Sequence, residues 1–389
     1  MTVLLCMGTR PEIIKMAPVF RAMTTQGLNP QVLHTGQHED MAWPLYEFFG
    51  FKPEHLIKLE REIPNLAGLS AELLLAIDAV LAKVHPKAMM VHGDTTSAAM
   101  GALAAFYQGV PVGHVEAGLR SGRKTEPFPE EMNRQLIGRI ATWHFAPTKG
   151  AAQSLAREGT TQAVVEVGNT VVDAAQWAAA RLETLEASGT SKTASRQWFE
   201  RSGCERLIVV TAHRRENWGA PMQDVIKAVV ELLSGDEKLA IIWPVHLNPV
   251  VKDAVMQAHA AADPRIQARW RSTQPLHYPE LIDLMRTCDV LLTDSGGIQE
   301  EAVALRKPVL ILRNVTERPE VVQCGLGLLV GTDTGAVVSA TRKILKTKTV
   351  PLLHSFENPF GDGTTGLKIS RYVADALRTD RHDQTPHKN

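Results

Sequence analysis

The stretch Val290-Leu291-Leu292-Thr293-Asp294-Ser295-Gly296-Gly297-Ile298-Gln299-Glu300-Glu301 carries the clearest fold signal in this 389-residue chain. The apolar residues 290–292 predict a buried parallel strand, and the helix formers from residue 298 to 305 predict a helix. The small residues between them predict a tight turn at a helix N-terminus. Such a turn can bind a phosphate, because glycine N–H groups approach closely and the helix end is electropositive. A strand-to-helix turn without a ligand explains the same residues, so both interpretations stay open.

The composition is that of a globular protein. A length of 389 residues with 44% apolar residues suits two domains. Basic and acidic residues number 42 each, so no overall charge favours nucleic acid or a membrane surface. The four cysteines lie far apart without a CxxC pair, which argues against disulfides and zinc. We find no membrane-spanning run and no cleavable leader, and therefore expect a cytoplasmic protein without a metal.

Strands alternate with helices along the chain, which predicts an α/β fold, and charged residues follow several strands of the first half. Arg10 and Lys15 follow strand 3–7, and Asp94, Glu116 and Glu130 follow later strands or start a helix. Three carboxylates at one sheet edge suit general acid–base chemistry, because neighbouring acids raise each other's pKa. Simpler roles remain open for two of these acids. Asp94 could cap the next helix, and Glu130 could form an ion pair with Arg134, four residues on.

The second half repeats this pattern after the polar stretch 187–195, which is the best linker candidate. His213 follows strand 207–211 and could bind an anion or carry a proton, although a loop histidine paired with Glu216 is the alternative. His246 follows another strand. Arg318 could place a guanidinium at the same phosphate-binding edge.

Six motifs of the chain occur together in one known family. They are Gly8-Thr9-Arg10-Pro11-Glu12, Gly93-Asp94-Thr95-Thr96-Ser97, His114-Val115-Glu116-Ala117-Gly118-Leu119-Arg120, Pro129-Glu130-Glu131-Met132-Asn133-Arg134, His213-Arg214-Arg215-Glu216-Asn217 and Asp294-Ser295-Gly296-Gly297-Ile298-Gln299-Glu300-Glu301. In this order they resemble the bacterial non-hydrolysing UDP-N-acetylglucosamine 2-epimerases, and the match covers residues 3–377.

The resemblance implies a GT-B architecture, in which two Rossmann-like domains enclose a cleft and a C-terminal helix returns to the first domain. We place the first domain at residues 1–168 with 362–389, and the second at residues 169–361. By resemblance, one set of residues is catalytic: Lys15, Asp94, Glu116, Glu130, Arg134 and His213. A second set should bind the UDP-sugar: Arg10, Lys15, His213, Ser295, Gly296, Gly297, Glu301 and Arg318.

The same resemblance implies a homodimer that interconverts UDP-N-acetylglucosamine and UDP-N-acetylmannosamine for surface polysaccharides, with no cofactor. The family eliminates UDP to form a 2-acetamidoglucal and then adds UDP back. A modified UDP-sugar substrate, a hydrolysing relative and a GT-B glycosyltransferase are the alternatives. A sensor that binds a UDP-sugar without turning it over would also keep these motifs.

Two departures from the family concern regulation and the nucleotide base. Residues 59–69 lack the glutamine-rich motif that accompanies the family's regulatory UDP-sugar site. Four residues that frame that site by resemblance are present: Gln37, His38, Arg214 and His246. Activation by the substrate therefore stays open. Leu281 stands where some members have an aromatic residue near the uracil.

Overall fold

A computed structural model describes residues 1–37, 39–60, 63–190, 192–347 and 357–383. The chain divides into two compact units, Met1–Ala174 with Phe360–Asn389, and Ala175–Pro359. Each unit contains a parallel sheet with interleaved helices, so the predicted α/β class with two Rossmann-like domains is confirmed. The boundaries drawn from the sequence, after residues 168 and 361, stay a prediction.

The first unit is built on a seven-stranded parallel sheet, counted over the described residues. Its strands are β1 (Thr2–Met7), β2 (Asn29–His34), β3 (His55–Leu56), β4 (Ala88–His92), β5 (Val112–Val115), β6 (Trp143–Ala146) and β7 (Val164–Glu166). Its helices are α1 (Arg10–Thr25), α2 (Glu39–Phe49), α3 (Leu66–Val84), α4 (Thr96–Tyr107), α5 (Glu130–Ile140), α6 (Lys149–Arg157) and the start of α7 (Thr170–Ala187).

The second unit has a six-stranded parallel sheet over the same described ranges. Its strands are β8 (Arg206–Thr211), β9 (Leu239–Pro244), β10 (Trp270–Thr273), β11 (Val290–Thr293), β12 (Val309–Ile311) and β13 (Gly327–Leu329). Its helices after α7 are α8 (Ala194–Arg201), α9 (Ala220–Gly235), α10 (Pro249–Ala261), α11 (Pro264–Gln267), α12 (Tyr278–Thr287), α13 (Gly296–Ala304), α14 (Pro319–Gln323) and α15 (Thr334–Thr347).

Both sheets reverse their strand order once, beside their first strand. The order is β3-β2-β1-β4-β5-β6-β7 in the first unit and β10-β9-β8-β11-β12-β13 in the second. In open parallel sheets, ligands bind outside the carboxyl ends of the strands at such a reversal. The sequence motifs follow β1 and β4 in one unit and β8 and β11 in the other, so each motif pair flanks a reversal.

The strands are buried, and their sequences are therefore short runs of apolar residues. Leu4 and Val91 in the first sheet are fully buried, as are Val210 and Leu292 in the second. Helices cover both faces of a parallel sheet, so its central strands bury side chains on both sides. Among the residues that the structure describes, no helix has the length and apolar content needed to cross a membrane.

The last helix, α16 (Thr365–Asp383), belongs to the first unit, as the resemblance implied. It packs on α1. A Cβ at Gly366 would lie 2.7 Å from the Pro18 carbonyl oxygen, so only glycine allows this approach. Asp173 in α7 accepts a hydrogen bond from the Gly366 N–H at 2.8 Å, which satisfies the helix start.

The polar stretch 187–195 does not separate the two units and lies within the second one. Its polar side chains hold the start of α8 against α12. Thr193 Oγ1 donates to Asp283 Oδ2 at 2.6 Å, and Ser195 Oγ donates to Glu280 Oε1 at 2.7 Å. Residues with the composition of a linker therefore act as a helix cap, because serine and threonine serve both purposes.

Candidate functional site

Glu116 occupies the centre of the first unit's strand edge, directly after β5. Its backbone has a φ of +65°. Non-glycine residues adopt this left-handed conformation at a cost and concentrate at functional sites. The Glu116 carboxylate forms an ion pair with Lys15 in α1 and accepts a hydrogen bond from Asn169 Nδ2 at 2.9 Å. His92 Nε2 lies 3.8 Å from the same oxygen, Oε2.

Lys15 and His92 keep Glu116 ionised although it is buried. Burial raises the pKa of a carboxyl group, but the Lys15 ammonium and His92 outweigh it and hold the pKa of Glu116 well below its usual value. The group is therefore a carboxylate at neutral pH. An ionised, desolvated carboxylate beside a lysine is suited to accept a proton from a substrate.

A second buried acid, Glu12, joins the loops that follow β1 and β4. Glu12 Oε2 accepts hydrogen bonds from the N–H groups of Gly8 and Thr9 at 2.9 and 2.8 Å. Its other oxygen accepts from Thr95 Oγ1 at 2.6 Å. Burial raises the pKa of Glu12, and the hydrogen bonds from Thr95, Gly8 and Thr9 oppose that rise. Because Arg10 and Lys15 are on the same helix as Glu12, this acid sets their position relative to Asp94.

Asp94 forms an ion pair with Arg134 in α5 and does not cap α4. The cap is Thr95, whose hydroxyl oxygen accepts from the Ala98 N–H at 3.0 Å. The Asn133 amide donates to the Asp94 carbonyl oxygen at 2.8 Å, which holds the start of α5 beside this loop.

Glu130 and Arg134 do not form the ion pair that their spacing suggested. Arg134 pairs instead with Asp94 and lies 3.6 Å from Glu131. Glu131 is fully buried and accepts a hydrogen bond from the Ser121 N–H at 2.9 Å. One carboxylate oxygen of Glu130 is shielded from solvent and, within the described residues, accepts no hydrogen bond. Glu130 is therefore left for a role other than ion pairing.

In the second unit, the buried Asp294 holds the loop that follows β8. Its carboxylate accepts hydrogen bonds from the N–H groups of His213 and Arg214 and from the Asn217 side chain, each at 2.9 Å. Asp294 Oδ1 also lies 3.2 Å from His213 Nδ1. The acid thus fixes both the loop and the ring, and the predicted alternative pairing of His213 with Glu216 is wrong. Glu216 pairs with Arg313 at 2.7 Å.

His213 is uncharged in the unliganded protein. Burial lowers the pKa of His213. Asp294 raises this pKa, whereas Arg214 and the neighbouring His246 lower it further. An orienting carboxylate on Nδ1 leaves Nε2 for a ligand. A bound anion would favour the protonated ring, so His213 is suited to bind or protonate a phosphate.

The predicted phosphate loop lies at the end of β11. Ser295 is the N-cap residue of α13, but its side chain makes no capping hydrogen bond. Gly296 and Gly297 face open space, since a Cβ built on either would meet no atom within 4 Å. The first N–H groups of a helix have no partner within that helix. A hydroxyl and exposed N–H groups at an electropositive helix end are therefore available to an anion.

The other predicted site residues of the second unit include an acid and two arginines. Glu301 is largely buried in α13. Arg318 donates from Nε to Glu300, which is also buried, so this arginine is positioned by an ion pair. The Arg214 guanidinium lies 3.5 Å from Glu317. The arginines are thus held in place by carboxylates.

The four residues proposed to frame a regulatory site lie in different environments. Gln37, in the first unit, accepts a hydrogen bond from Ser97 Oγ at 2.9 Å. His38 lies outside the described residues. In the second unit, the His246 ring stacks on His213 with centroids 5.9 Å apart. Arg214 is next to His213 in sequence. Two of the proposed regulatory residues, His246 and Arg214, thus lie next to His213, which is predicted to bind the diphosphate.

Sequence reasoning missed residues that contact or position the predicted site residues: Glu12, His92, Glu131, Asn169 and the carboxylate of Asp294. A local signal existed for Glu12, because Thr9 and Glu12 have the spacing of a capping box. His92, Asn169 and Asp294 contact residues that are farther away in sequence, and Asn169 meets Glu116 across 53 positions. No local pattern reveals such a contact.

Comparisons with known proteins identify the family of this chain. Residues 21–374 match the family model described as UDP-N-acetylglucosamine 2-epimerase. The UDP-N-acetylglucosamine 2-epimerase of Bacillus subtilis is 38% identical over 365 residues, which cover 93% of this chain and 92% of that protein.

Solved structures show the same similarity over nearly the whole chain. The S. aureus protein MnaA, solved with UDP, is 36% identical with a TM-score of 0.82, and the match covers 97% of each chain. The UDP-GlcNAc 2-epimerase of Neisseria meningitidis, solved with UDP-GlcNAc, is 33% identical with a TM-score of 0.81. That match covers 97% of this chain and all of the other. The chain therefore belongs to the UDP-N-acetylglucosamine 2-epimerase family.

Proposed function

We propose that this chain interconverts UDP-N-acetylglucosamine and UDP-N-acetylmannosamine by eliminating UDP and adding it back, without hydrolysing the sugar nucleotide. The observation that carries the proposal is the buried, ionised Glu116, which is held by Lys15 at a strand edge. The relatives solved with UDP and UDP-GlcNAc support the choice of ligand.

The first half of the reaction breaks two bonds of the sugar. No carbonyl group adjoins C2 on the ring, so the C2 hydrogen is not acidic at the start. Departure of the diphosphate from C1 leaves an electron-poor carbon, and the neighbouring C2 proton then becomes removable. A carboxylate takes that proton, the C2–H electrons form the C1–C2 double bond, and free UDP and a 2-acetamidoglucal result. We assign this proton transfer to Glu116.

The second half reverses these steps on the other face of C2. A carboxylic acid returns a proton to C2, and a diphosphate oxygen adds to C1. Asp94 and Glu130 are the remaining acids of the first unit's strand edge, and we assign the opposite face to this pair. Arg134 holds Asp94 in position through their ion pair. One proton leaves C2 for Glu116 and one reaches C2 from the donating acid, and exchange of both carboxyl groups with solvent restores them for the next turnover.

The second unit stabilises the departing UDP in this proposal. Negative charge develops on the diphosphate as the C1–O bond breaks. His213, held by Asp294, and the Ser295–Gly297 loop provide donors for that charge without reorganising. Arg10 and Arg318 add cations, and Glu301 binds the ribose hydroxyls. Fixed donors of this kind are commonly the largest contribution to catalysis, at about 3 kcal/mol for each.

We further propose that two copies of the chain associate through a face formed by α3 and α4, which pack on each other. This face exposes Leu75, Phe106 and Tyr107, whose exposed fractions are 73, 58 and 66%. Adjacent exposed apolar side chains of this size mark interaction surfaces. All four cysteines are free thiols, which supports a reducing compartment such as the cytoplasm.

The reaction is tested by proton NMR of the purified protein with UDP-N-acetylglucosamine in deuterated water. We expect UDP-N-acetylmannosamine to form with deuterium at C2, because the proton removed exchanges with solvent before its return. Free N-acetylmannosamine with UDP would contradict the proposal and indicate a hydrolysing enzyme. Absence of both products would contradict epimerisation of this substrate.

Removal of the acids should abolish turnover but not nucleotide binding. We expect Asp94→Asn, Glu116→Gln and Glu130→Gln each to lower kcat by about 10²- to 10⁴-fold, the usual contribution of a general acid or base. The Kd for UDP, measured by calorimetry, should change little. Glu47→Gln, an exposed acid in α2, is the matched control and should keep wild-type activity. Wild-type turnover in all three variants would refute the assignment.

Ser295→Ala should weaken UDP binding and leave the fold intact. A hydrogen bond to a charged group contributes about 1.5–3 kcal/mol, so we expect the Kd for UDP to rise about tenfold to hundredfold. Ser234→Ala removes the same hydroxyl from an exposed position of α9 and serves as the control. An unchanged Kd in Ser295→Ala would exclude its hydroxyl as a diphosphate ligand.

Leu75→Lys should convert the dimer into a monomer, because a buried, unpaired charge is costly at an apolar interface. Val250→Lys places the same charge on an exposed apolar position of α10, at 52% exposure, and should leave the assembly unchanged. Analytical ultracentrifugation measures both. A monomeric wild type, or a dimer that Leu75→Lys does not affect, would refute the proposed face.

A further inference from the structure

Asn169 is a buried polar residue that the proposed mechanism does not yet use. It lies directly before α7 and is only 2% exposed. Its side-chain Nδ2 donates a hydrogen bond to Glu116 Oε2 at 2.9 Å. The amide is thus in direct contact with the carboxylate that we assign to proton transfer, but a carboxamide is neither an acid nor a base near neutral pH.

Among the described residues, the partners of Glu116 contact one of its two carboxylate oxygens. Oε2 is bound by Lys15 and Asn169, and His92 lies 3.8 Å from it. Oε1 accepts no hydrogen bond from the described part of the chain. Two donors on one oxygen restrict the rotation of the carboxylate plane. They leave the lone pairs of the other oxygen to receive a proton.

Two more hydrogen bonds to residues that the structure describes hold Asn169 in place. Its side-chain Oδ1 accepts from the Val171 N–H at 3.1 Å, which caps the start of α7. Its backbone N–H donates to the Phe360 carbonyl oxygen at 2.6 Å. Helix α7 leads the chain out of the first unit, and Phe360 is where the chain re-enters it. Asn169 is therefore fixed at the place where the two connecting segments meet.

The close approach of these segments explains the residues around Asn169. Gly168 has a φ of +96° and Gly361 a φ of +113°. A Cβ at Gly168 would lie 2.9 Å from the Phe360 carbonyl oxygen. Larger residues would separate the segments and move Asn169 away from Glu116. The backbone here is shaped to hold the amide in one position.

We propose that Asn169 is a positioning residue for Glu116, which ties the catalytic carboxylate to the start of α7 and orients its free oxygen towards the C2 proton. The proposal rests on the assignment of Glu116 to proton transfer. Asparagine suits this role because its side chain donates and accepts at the same time, and here it caps α7 while it donates to Glu116.

Two substitutions separate these two functions of Asn169. Asn169→Asp keeps an oxygen that can cap α7, but it loses the donor to Glu116 and adds a second negative charge. Asn169→Ala loses both functions. Asn65→Ala is the matched control, because Asn65 caps α3 through the Gly68 N–H at 2.8 Å and lies away from Glu116 in sequence. It removes a helix cap of the same kind.

The first measurement is the pH dependence of kcat for C2 proton exchange. Loss of a donor to an ionised carboxylate raises its pKa, and a nearby like charge raises it further. The acid limb should therefore move to higher pH in Asn169→Ala, and further in Asn169→Asp. We expect kcat to fall about tenfold to hundredfold, as for a lost hydrogen bond to a charged group, with a smaller change in KM. Asn65→Ala should keep the wild-type limb.

The second measurement needs no turnover. Carbon NMR of protein labelled at glutamate carboxyls follows the titration of Glu116, whose signal is identified by its absence in Glu116→Gln. The midpoint should move to higher pH in both Asn169 variants. Wild-type midpoints in both, or an equal shift in Asn65→Ala, would overturn the proposal. If the wild type showed no C2 exchange, the proposed function would fail, and this titration would still decide whether Asn169 controls Glu116.

Discussion

The first unit depends most on the ion pair between Lys15 and Glu116, which holds a negative charge in a buried position. Removing Lys15 would take the lysine ammonium away from a buried carboxylate, and breaking a buried ion pair in this way costs several kcal/mol. The pair therefore constrains helix α1, the left-handed turn after β5 and the residues packed around both. The same constraint makes Glu116 reactive, because burial without protonation leaves a carboxylate that water does not stabilise.

In each unit, a buried acid that takes no part in the proposed chemistry holds the loops at the carboxyl ends of the strands in place. Glu12 accepts hydrogen bonds from N–H groups of the β1–α1 loop and from a hydroxyl group of the β4–α4 loop. Asp294 lies at the end of β11 and accepts hydrogen bonds from N–H groups of the loop after β8. In both sheets these loops flank the reversal of strand order. A carboxylate is suited to this role because it accepts several hydrogen bonds at once, and backbone N–H groups in a loop need partners.

The fold was largely predictable because strand and helix signals are local. The apolar runs and the glycine-rich turn before α13 give the correct order of elements, and the resemblance identified the family. The simpler alternatives that the sequence left open for two residues are not formed. Arg134 pairs with Asp94 and not with Glu130, and His213 lies against Asp294 and not against Glu216. Reasoning from the sequence considers partners that are near along the chain. In the folded protein, a buried side chain instead contacts residues that follow neighbouring strands.

The sequence by itself determined which residue types stand at each strand end, and therefore the class of chemistry to expect: carboxylates after β4 and β5, a histidine after β8 and a loop of small residues after β11. Only the tertiary structure decided the protonation and orientation of these groups. Glu116 is ionised because Lys15 and His92 reach it from two separate segments, and His213 is neutral because it is buried beside Arg214 and His246. Such states follow from distances and desolvation, which exist only once the chain has folded.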